Sequence, residues 1–347
     1  MSGAAPRLAI IGDDLTGTLD AAAPFAARGA KVQVALNPAA LREALAEAPE
    51  VVAVSTDSRE IAPGDAQAAV RAAVAALPPG TPVFKKIDSR LKGNVAAELS
   101  ALDFRRMLVA PAIPDFGRIV TDGALRGFGV DRPIDVAALL GPRGAGAEIP
   151  DTPDAAAMAA ALEGSQADLL VGARGLAEAL AARLLPAPPR PVAGLPGPRA
   201  LFVVGSRDPI TMPQVQALRR IGVALSEAPN GRVEPAPDAD LLVVQAVPGT
   251  PPLPPAEVAR RLAEGVAPGL TGGRQLLLLT GGATAAAVLD RLGLACLHLL
   301  GECLPGLPVC RAGDFTIVTK SGGFGSPETL VTVSRLINQS SQAGPRP

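Results

Sequence analysis

Two adjacent carboxylates, Asp13 and Asp14, follow the apolar run 8–12 and stand ahead of a helix-like segment that Thr16, Gly17 and Asp20 open. Neighbouring carboxylates disfavour each other's ionisation, so their pairing calls for a cause. A divalent cation would supply one; a general base that accepts a hydroxyl proton from a substrate would supply another. Helix capping is the plain structural alternative, because Asp is favoured ahead of a helix. Asp14 is the first candidate for the base and Asp13 the second.

A second cluster lies in VFKKIDSRLKGN (83–94), which delivers Lys85, Lys86, Asp88, Ser89, Arg90, Lys92 and Asn94 into one loop. STDSRE (55–60) adds Asp57, Ser58 and Arg59 at the end of another apolar run. Many donors around few carboxylates suit a polyhydroxy anion: the cations take its carboxylate, and Asp and Asn take its hydroxyls. Arg59 would grip a carboxylate through two parallel hydrogen bonds. Either cluster alone reads equally well as a solvated loop. Three polar loops at the ends of three strands favour one shared small-molecule pocket.

The third chemistry is anion binding. In GDFTIVTKSGGFGSPETL (313–330) an apolar run leads into Lys320, then Gly322, Gly323 and Gly325, then a helix opened by Ser326 and Pro327. Glycines let the main chain approach a bound group, and the N–H groups at a helix start carry partial positive charge. Strand, Lys, glycine loop and helix start together make a phosphate cradle. The order is the reverse of a Walker A loop. Two more strand–Gly–helix units accompany it: 276–280 with Gly281 and Gly282, and 201–204 with Gly205 and Ser206. One such turn is ordinary punctuation; three put their loops at the carboxyl edge of one sheet, where α/β folds bind ligands.

These loops need elements to carry them. Apolar runs at 8–11, 31–36, 51–55, 83–87 and 107–110 alternate with Ala-rich helical stretches such as 19–28 and 65–77. Another strand is expected at 168–171 and a helix at 175–185; strands resume at Leu201, Leu241, Leu276 and Phe315. Such alternation predicts an α/β protein of two domains, each a mostly parallel sheet flanked by helices, with the active site in the cleft between them. Residues 186–199 (PAPPRPVAGLPGPR) are too rich in Pro and Gly for regular structure. The expected division is therefore 1–186, a linker at 187–199, 200–337, and a flexible tail at 338–347. A second Pro-rich loop is expected at 248–255.

Composition removes several function classes. The chain has 347 residues, no Trp or Tyr and eight Phe, which argues against aromatic stacking platforms for bases. With 32 basic and 33 acidic residues there is no basic stripe for a nucleic-acid backbone. No stretch approaches the length of a membrane span or a signal-peptide core, which predicts a soluble, cytoplasmic protein. His298 is the only histidine, so His-based metal sites and Ser-His-Asp triads are nearly excluded and no metal-ligand set stands out. Cys296, Cys303 and Cys310, spaced evenly at seven, read as structural. A homodimer is the default assembly of a soluble enzyme.

DDLTG-x-x-D, KKIDS-x-L-x-GN, PAIPDFGRIVTDG (111–123), GSRDPIT, LLTGG-x-T and TKSGGFG occur in this order. The ordered set resembles the four-carbon acid sugar kinase family from residue 8 to about 336. The resemblance implies an N-terminal substrate domain, a C-terminal nucleotide domain, and ATP-dependent phosphorylation of threonate, erythronate or 3-oxo-tetronate. It implies ATP contacts at Ser206, at Gly281, Gly282, Ala283 and Thr284, and at Lys320, Gly322, Gly323 and Gly325. DDLTG, Asp13 included, and the KKIDS block would line the acid-sugar site. The expected reaction is in-line attack of the terminal hydroxyl on MgATP, with an Asp as base and Lys320 steadying the transferred charge. The chain departs from many relatives in Ala283, in Arg90 and Lys92, and in a short, Pro-rich segment at 221–270. Those departures keep a second reading open, a nucleotide and sugar-acid binding protein without catalysis. A nicotinamide-linked oxidoreductase is a third, although no G-x-G-x-x-G follows an early strand.

Overall fold

The computed structural model describes residues 5–342 and divides into two compact units, Met1–Pro189 and Arg190–Pro347. Residues 185–199 carry neither helix nor strand.

The first unit runs β1 (Leu8–Gly12), α1 (Leu15–Ala27), β2 (Val32–Ala35), α2 (Leu41–Ala46), β3 (Val51–Ser55), α3 (Pro63–Ala76), β4 (Val83–Lys86), α4 (Val95–Leu99) and β5 (Met107–Ala110). It continues through β6 (Arg118–Thr121), β7 (Ala124–Gly127), β8 (Ile134–Asp135), α5 (Ala155–Gly164), β9 (Leu169–Gly172) and α6 (Arg174–Leu184). Its main sheet is parallel, in the order β2-β3-β1-β4-β9-β5. Strands such as LAIIG and VVAVS are buried along their whole length, the pattern of a sheet covered on both faces. The order reverses at β1, the position where open α/β sheets present a ligand crevice. Register does the rest: Gly12 lies opposite both Ser55 and Lys86, so the loops after β1, β3 and β4 leave the sheet at one level. A separate antiparallel sheet, β6-β7-β8, was not expected; its strands are four residues or fewer and rich in Arg, Asp and Gly.

The second unit runs β10 (Ala200–Val204), α7 (Thr211–Arg220), β11 (Ala224–Pro229), β12 (Leu241–Val247), α8 (Pro255–Val266), β13 (Leu276–Thr280) and α9 (Gly282–Arg291). Then follow β14 (Cys296–Leu304), β15 (Leu307–Ala312), β16 (Phe315–Lys320) and α10 (Thr329–Gln342). The strand order is β11-β12-β10-β13-β16-β15-β14, parallel as far as β16 and antiparallel in β14–β16. Val204 faces Thr280 and Thr280 faces Lys320, so the three glycine loops start from aligned strand ends. Phe202, Leu276, Leu278, Val318 and Leu330 fill the core beneath them. Each such side chain contributes about 1.5–3 kcal/mol by burial.

Two expectations are corrected at the C-terminal end. The helix opens at Thr329 rather than at Ser326–Pro327, and the Ser326 N–H donates to Thr329 Oγ1 at 2.8 Å. Helix α10 continues to Gln342, so residues 338–342 are helical rather than a tail; 343–347 lie outside the described residues. The hairpin β14–β15, also unexpected, carries the cysteines. Cys303 and Cys310 are buried there, and burial pushes the Cys303 thiol up to about 12, which makes it inert near neutral pH.

Candidate functional site

The loop after β1 begins with the paired carboxylates. Asp14 is the N-cap of α1: its Oδ1 accepts from Gly17 N at 3.0 Å and its Oδ2 from Thr16 Oγ1 at 2.8 Å. Capping is therefore real here, and it accompanies a second interaction. Arg59 donates from Nε and Nη2 to Asp13 at 2.7 and 2.9 Å, and from Nη2 to Asp14 at 2.7 Å. One guanidinium thus clamps both carboxylates, and Asp88 lies 3.6 Å from its Nη1. The clamp separates the two acids. Burial opposes ionisation of Asp13, but the Arg59 hydrogen bonds and the charges of Arg59, Lys86 and Lys85 outweigh it and hold its carboxyl below the ordinary range. For Asp14 burial wins, with the Asp13 charge adding to it, and its carboxyl is raised. Two acids driven apart by environment are the usual mark of a division of labour, with the raised one suited to receive a proton.

The loop after β4 divides its cations. Neighbouring residues of a strand face opposite sides of the sheet. Lys86 approaches the α1 start, where a Cβ on Gly17 would lie 2.8 Å from its Nζ and 2.4 Å from Asp14 Oδ1. A side chain there would push one of these two charged ends aside. Lys85 goes the other way and is fully buried against Glu98, Nζ to Oε2 at 2.8 Å. Ser58 Oγ donates to Glu98 and meets Thr56 Oγ1 at 2.6 Å, while Thr56 donates to Gly12 O at 2.9 Å. Lys85 and Ser58, expected at the substrate, are thus behind the loops and support them, because their polar groups are engaged in this buried network. Asn94 Nδ2 donates to Ser58 O and Ile61 O, both at 2.8 Å, and fastens the loop after β3. Arg59, expected to hold a substrate carboxylate, holds Asp13 and Asp14 instead.

Around this centre Asp88 Oδ1 accepts from the N–H groups of Arg90 and Lys92 at 2.8 and 3.3 Å, which shapes the turn. Ser89 Oγ accepts from Arg118 Nη1 at 2.6 Å. Arg90 is half-buried, and Lys92 and Asp57 are exposed. Asp57 has φ of 47°, a left-handed conformation that costs a non-glycine residue about 1–3 kcal/mol and tends to occur at functional loops.

In the second unit the glycine loops after β10, β13 and β16 converge. A Cβ on Gly322 would lie 2.3 Å from Ser206 Oγ and 3.2 Å from Asp208 Cβ; Gly281 packs against Ser206 and caps α9 without any side-chain hydrogen bond. The first N–H groups of α9, in Gly282, Ala283 and Thr284, thus point to the loop face without an intrahelical partner. Lys320 is fully buried below. Its Nζ donates to Thr211 Oγ1 at 2.9 Å and to the carbonyls of Ser321 and Gly322 at 3.0 and 3.4 Å. Thr211 Oγ1 donates to Gly322 O at 2.7 Å, and Gln214 Nε2 to Phe324 O at 2.9 Å, so the loop that carries Gly322, Gly323 and Gly325 is anchored from beneath. Thr280 Oγ1 is buried with no hydrogen-bond partner among the described residues. A cradle that only glycine permits, unpartnered helix N–H groups and this unpaired hydroxyl fit the phosphates of a nucleotide. Gly322→Ala is expected to keep the fold and weaken nucleotide binding about ten-fold or more, since the added methyl must displace Ser206 or the loop. Calorimetric titration with ATP checks this; unchanged affinity would place the phosphates elsewhere.

Sequence reasoning missed Arg118, Asp208, Thr211, Gln214 and Glu98. The first three lie inside blocks that the sequence marks, GRIVTDG and GSRDPIT. Glu98 has no signal of its own, because a carboxylate in a five-residue helix ordinarily reads as solvated.

Residues 8–135 match the profile of a sugar-binding N-terminal domain, and residues 231–330 that of a nucleotide-binding C-terminal domain. A D-threonate kinase of Bordetella bronchiseptica is 31% identical, covering 96% of this chain and 98% of the relative. A D-threonate kinase of Cupriavidus necator is 32% identical, covering 92% and 95%. The first alignment spans 399 positions against a chain of 347 residues, so that relative carries segments this chain lacks. Among solved structures, a protein of Salmonella typhimurium LT2 superposes with a TM-score of 0.70 at 20% identity, covering 96% of this chain and 99% of that one. That likeness establishes the fold. The kinase relatives displace the nicotinamide reading, and a nucleotide-binding domain in such a kinase implies ATP as phosphoryl donor. The protein is a sugar-acid kinase, and the chain belongs to the four-carbon acid sugar kinase family.

Proposed function

We propose that the protein transfers the γ-phosphoryl group of ATP to the terminal hydroxyl of a four-carbon acid sugar of the threonate, erythronate or 3-oxo-tetronate class. The observation that carries this reading is the Asp13–Asp14 pair, clamped by one arginine at the start of α1 where the loops after β1, β3 and β4 leave the sheet at one level. Asp14 takes the hydroxyl proton as the oxygen attacks phosphorus, while Asp13 stays ionised and keeps Arg59 in place. Lys86 lies beside Asp14 and offsets the negative charge that collects there. The relatives named D-threonate kinase over nearly their full length make D-threonate the first acid to try. The hydroxyl is read directly by 31P NMR of the product. Phosphate on a terminal CH2 couples to two protons and gives a triplet; a doublet would mean transfer to a secondary hydroxyl and would overturn the assignment.

In the nucleotide half, residues 281–284 and 322–325 receive the phosphates, and Lys320 holds the second of these loops. Mg2+ would neutralise phosphate charge and is commonly held by phosphate oxygens with one or two carboxylates. Asp208 fits that part: a Cβ on Gly323 would lie 3.6 Å from its Oδ2. Among the described residues no three His, Cys, Asp or Glu side chains gather to hold a metal by themselves.

Burial pushes Lys320 down to about 8, against the opposing charge of Asp208. Turnover is therefore expected to fall as pH rises through about 8, when the ammonium that anchors the loop loses its proton. Stability moves the other way. The unfolded chain keeps this proton up to the ordinary 10.5, so between about 8 and 10.5 the unfolded state binds more protons and native stability rises with pH. Lys320→Met should lower activity and abolish that alkaline limb in a pH–rate profile. Retention of the limb would assign it to another group.

A further inference from the structure

Arg118 and Arg90 come together beside Gly129. Arg118 extends from β6, in the small antiparallel sheet, and is 7% exposed. Its Nε and Nη2 donate to Phe128 O at 3.0 and 2.9 Å, and its Nη1 to Ser89 Oγ at 2.6 Å. A guanidinium has five N–H donors, so donors on Nη1 and Nη2 remain beyond these bonds. No carboxylate forms an ion pair with it among the described residues. Arg90 approaches from the loop after β4, and its guanidinium has no hydrogen-bond or ion-pair partner among those residues. Both arginines flank Gly129, whose Cβ would lie 3.3 Å from Arg118 Nη2 and 3.8 Å from Arg90 Cδ. Burial and the neighbouring Arg90 charge both weigh against the charge on Arg118, and only Asp88 opposes them. Asp88 is itself occupied with the N–H groups of Arg90 and Lys92.

Three other cations nearby are committed, while Lys92 on the same loop is exposed. Arg59 clamps Asp13 and Asp14, Lys85 pairs with Glu98, and Lys86 donates to Ile87 O at 2.7 Å beside Asp14. Two arginines brought together around a glycine, one buried and neither ion-paired, suit a planar carboxylate that accepts from both.

We infer that Arg118 and Arg90, with the Ser89 hydroxyl between them, receive the carboxylate of the acid sugar and so set its orientation towards Asp14. The inference rests on the reading that the loops after β1, β3 and β4 form the acid-sugar site. It makes Arg118, within the GRIVTDG block, a specificity-determining residue, and it gives the departure at Arg90 a task.

The test is equilibrium binding of D-threonate and of its uncharged alditol, threitol, by calorimetry without nucleotide, alongside steady-state kinetics. Arg90→Thr removes a side chain without internal partners and should fold normally. The intact protein should bind threonate at least about ten-fold more tightly than threitol, and Arg90→Thr should lose most of that preference. In kinetics the loss should fall on KM more than on kcat. Arg118→Lys, checked for an unchanged thermal transition, should show the same split, because a lysine keeps the charge but not the fork. An unaltered threonate preference in Arg90→Thr, or no preference in the intact protein, would overturn the inference. The binding effect without ADP release on any acid would uphold the carboxylate site while refuting the phosphoryl transfer.

Discussion

Asp14→Asn is expected to reduce kcat by about 10²–10⁴-fold, the usual contribution of a positioned general base. The substitution keeps the size of the side chain and an oxygen for the Gly17 N–H, so the α1 cap persists and the protein stays folded. What disappears is the capacity to take a proton. Asp13→Asn should behave differently. It weakens the pair of hydrogen bonds that fixes Arg59, so disorder of the clamp and a raised KM accompany any fall in kcat. In the intact enzyme the base must be ionised, and Asp14 is raised above the ordinary 3.8, so kcat should drop as pH falls through that raised value. Steady-state kinetics of both variants against pH separate the roles. Full activity in Asp14→Asn would move the base elsewhere.

Lys85→Met should destabilise the protein by about 3–5 kcal/mol, because it leaves the Glu98 carboxylate buried without its cation. For a unit of this size that is a fall of roughly 10 °C in Tm. Lys85→Met combined with Glu98→Leu removes both charges and should recover most of the loss. Differential scanning calorimetry reads both. The experiment also decides between the two roles offered for Lys85. A substrate contact would raise KM with Tm unchanged; the buried pair predicts the reverse order of effects.

Lys85 and Lys86 show where the sequence stops being legible. Adjacent lysines at a strand end advertise an anion site, and the apolar run before them places that end at the sheet edge. The pleat then sends one to the site and the other into the interior. Which goes where depends on Glu98, thirteen residues after Lys85, whose burial has no local signature. The same holds for Arg59. Its position beside a strand end was readable, but Asp13 and Asp14 reach it only because Gly12 and Ser55 share a register. Long apolar runs such as 276–280 and strand–Gly–helix turns were readable from types alone, because burial and backbone freedom are local demands. β14 and β15 were not, since their polar and apolar residues mix around Gly301 and Gly306 and resemble a loop. Arg118 sits on a four-residue strand whose partner is another short strand, and pairing at that distance leaves no periodicity to read.

In the proposed reaction an acid sugar, and not water, receives the phosphoryl group. The most direct measurement is ADP release from the purified protein with ATP and Mg2+, with each of D- and L-threonate, D- and L-erythronate and the 3-oxo-tetronates, and with no acid. ADP formation should depend on one or two of these acids and be lost in Asp14→Asn. ADP release at the same rate with and without every acid, or none with any while ATP still binds, would contradict it.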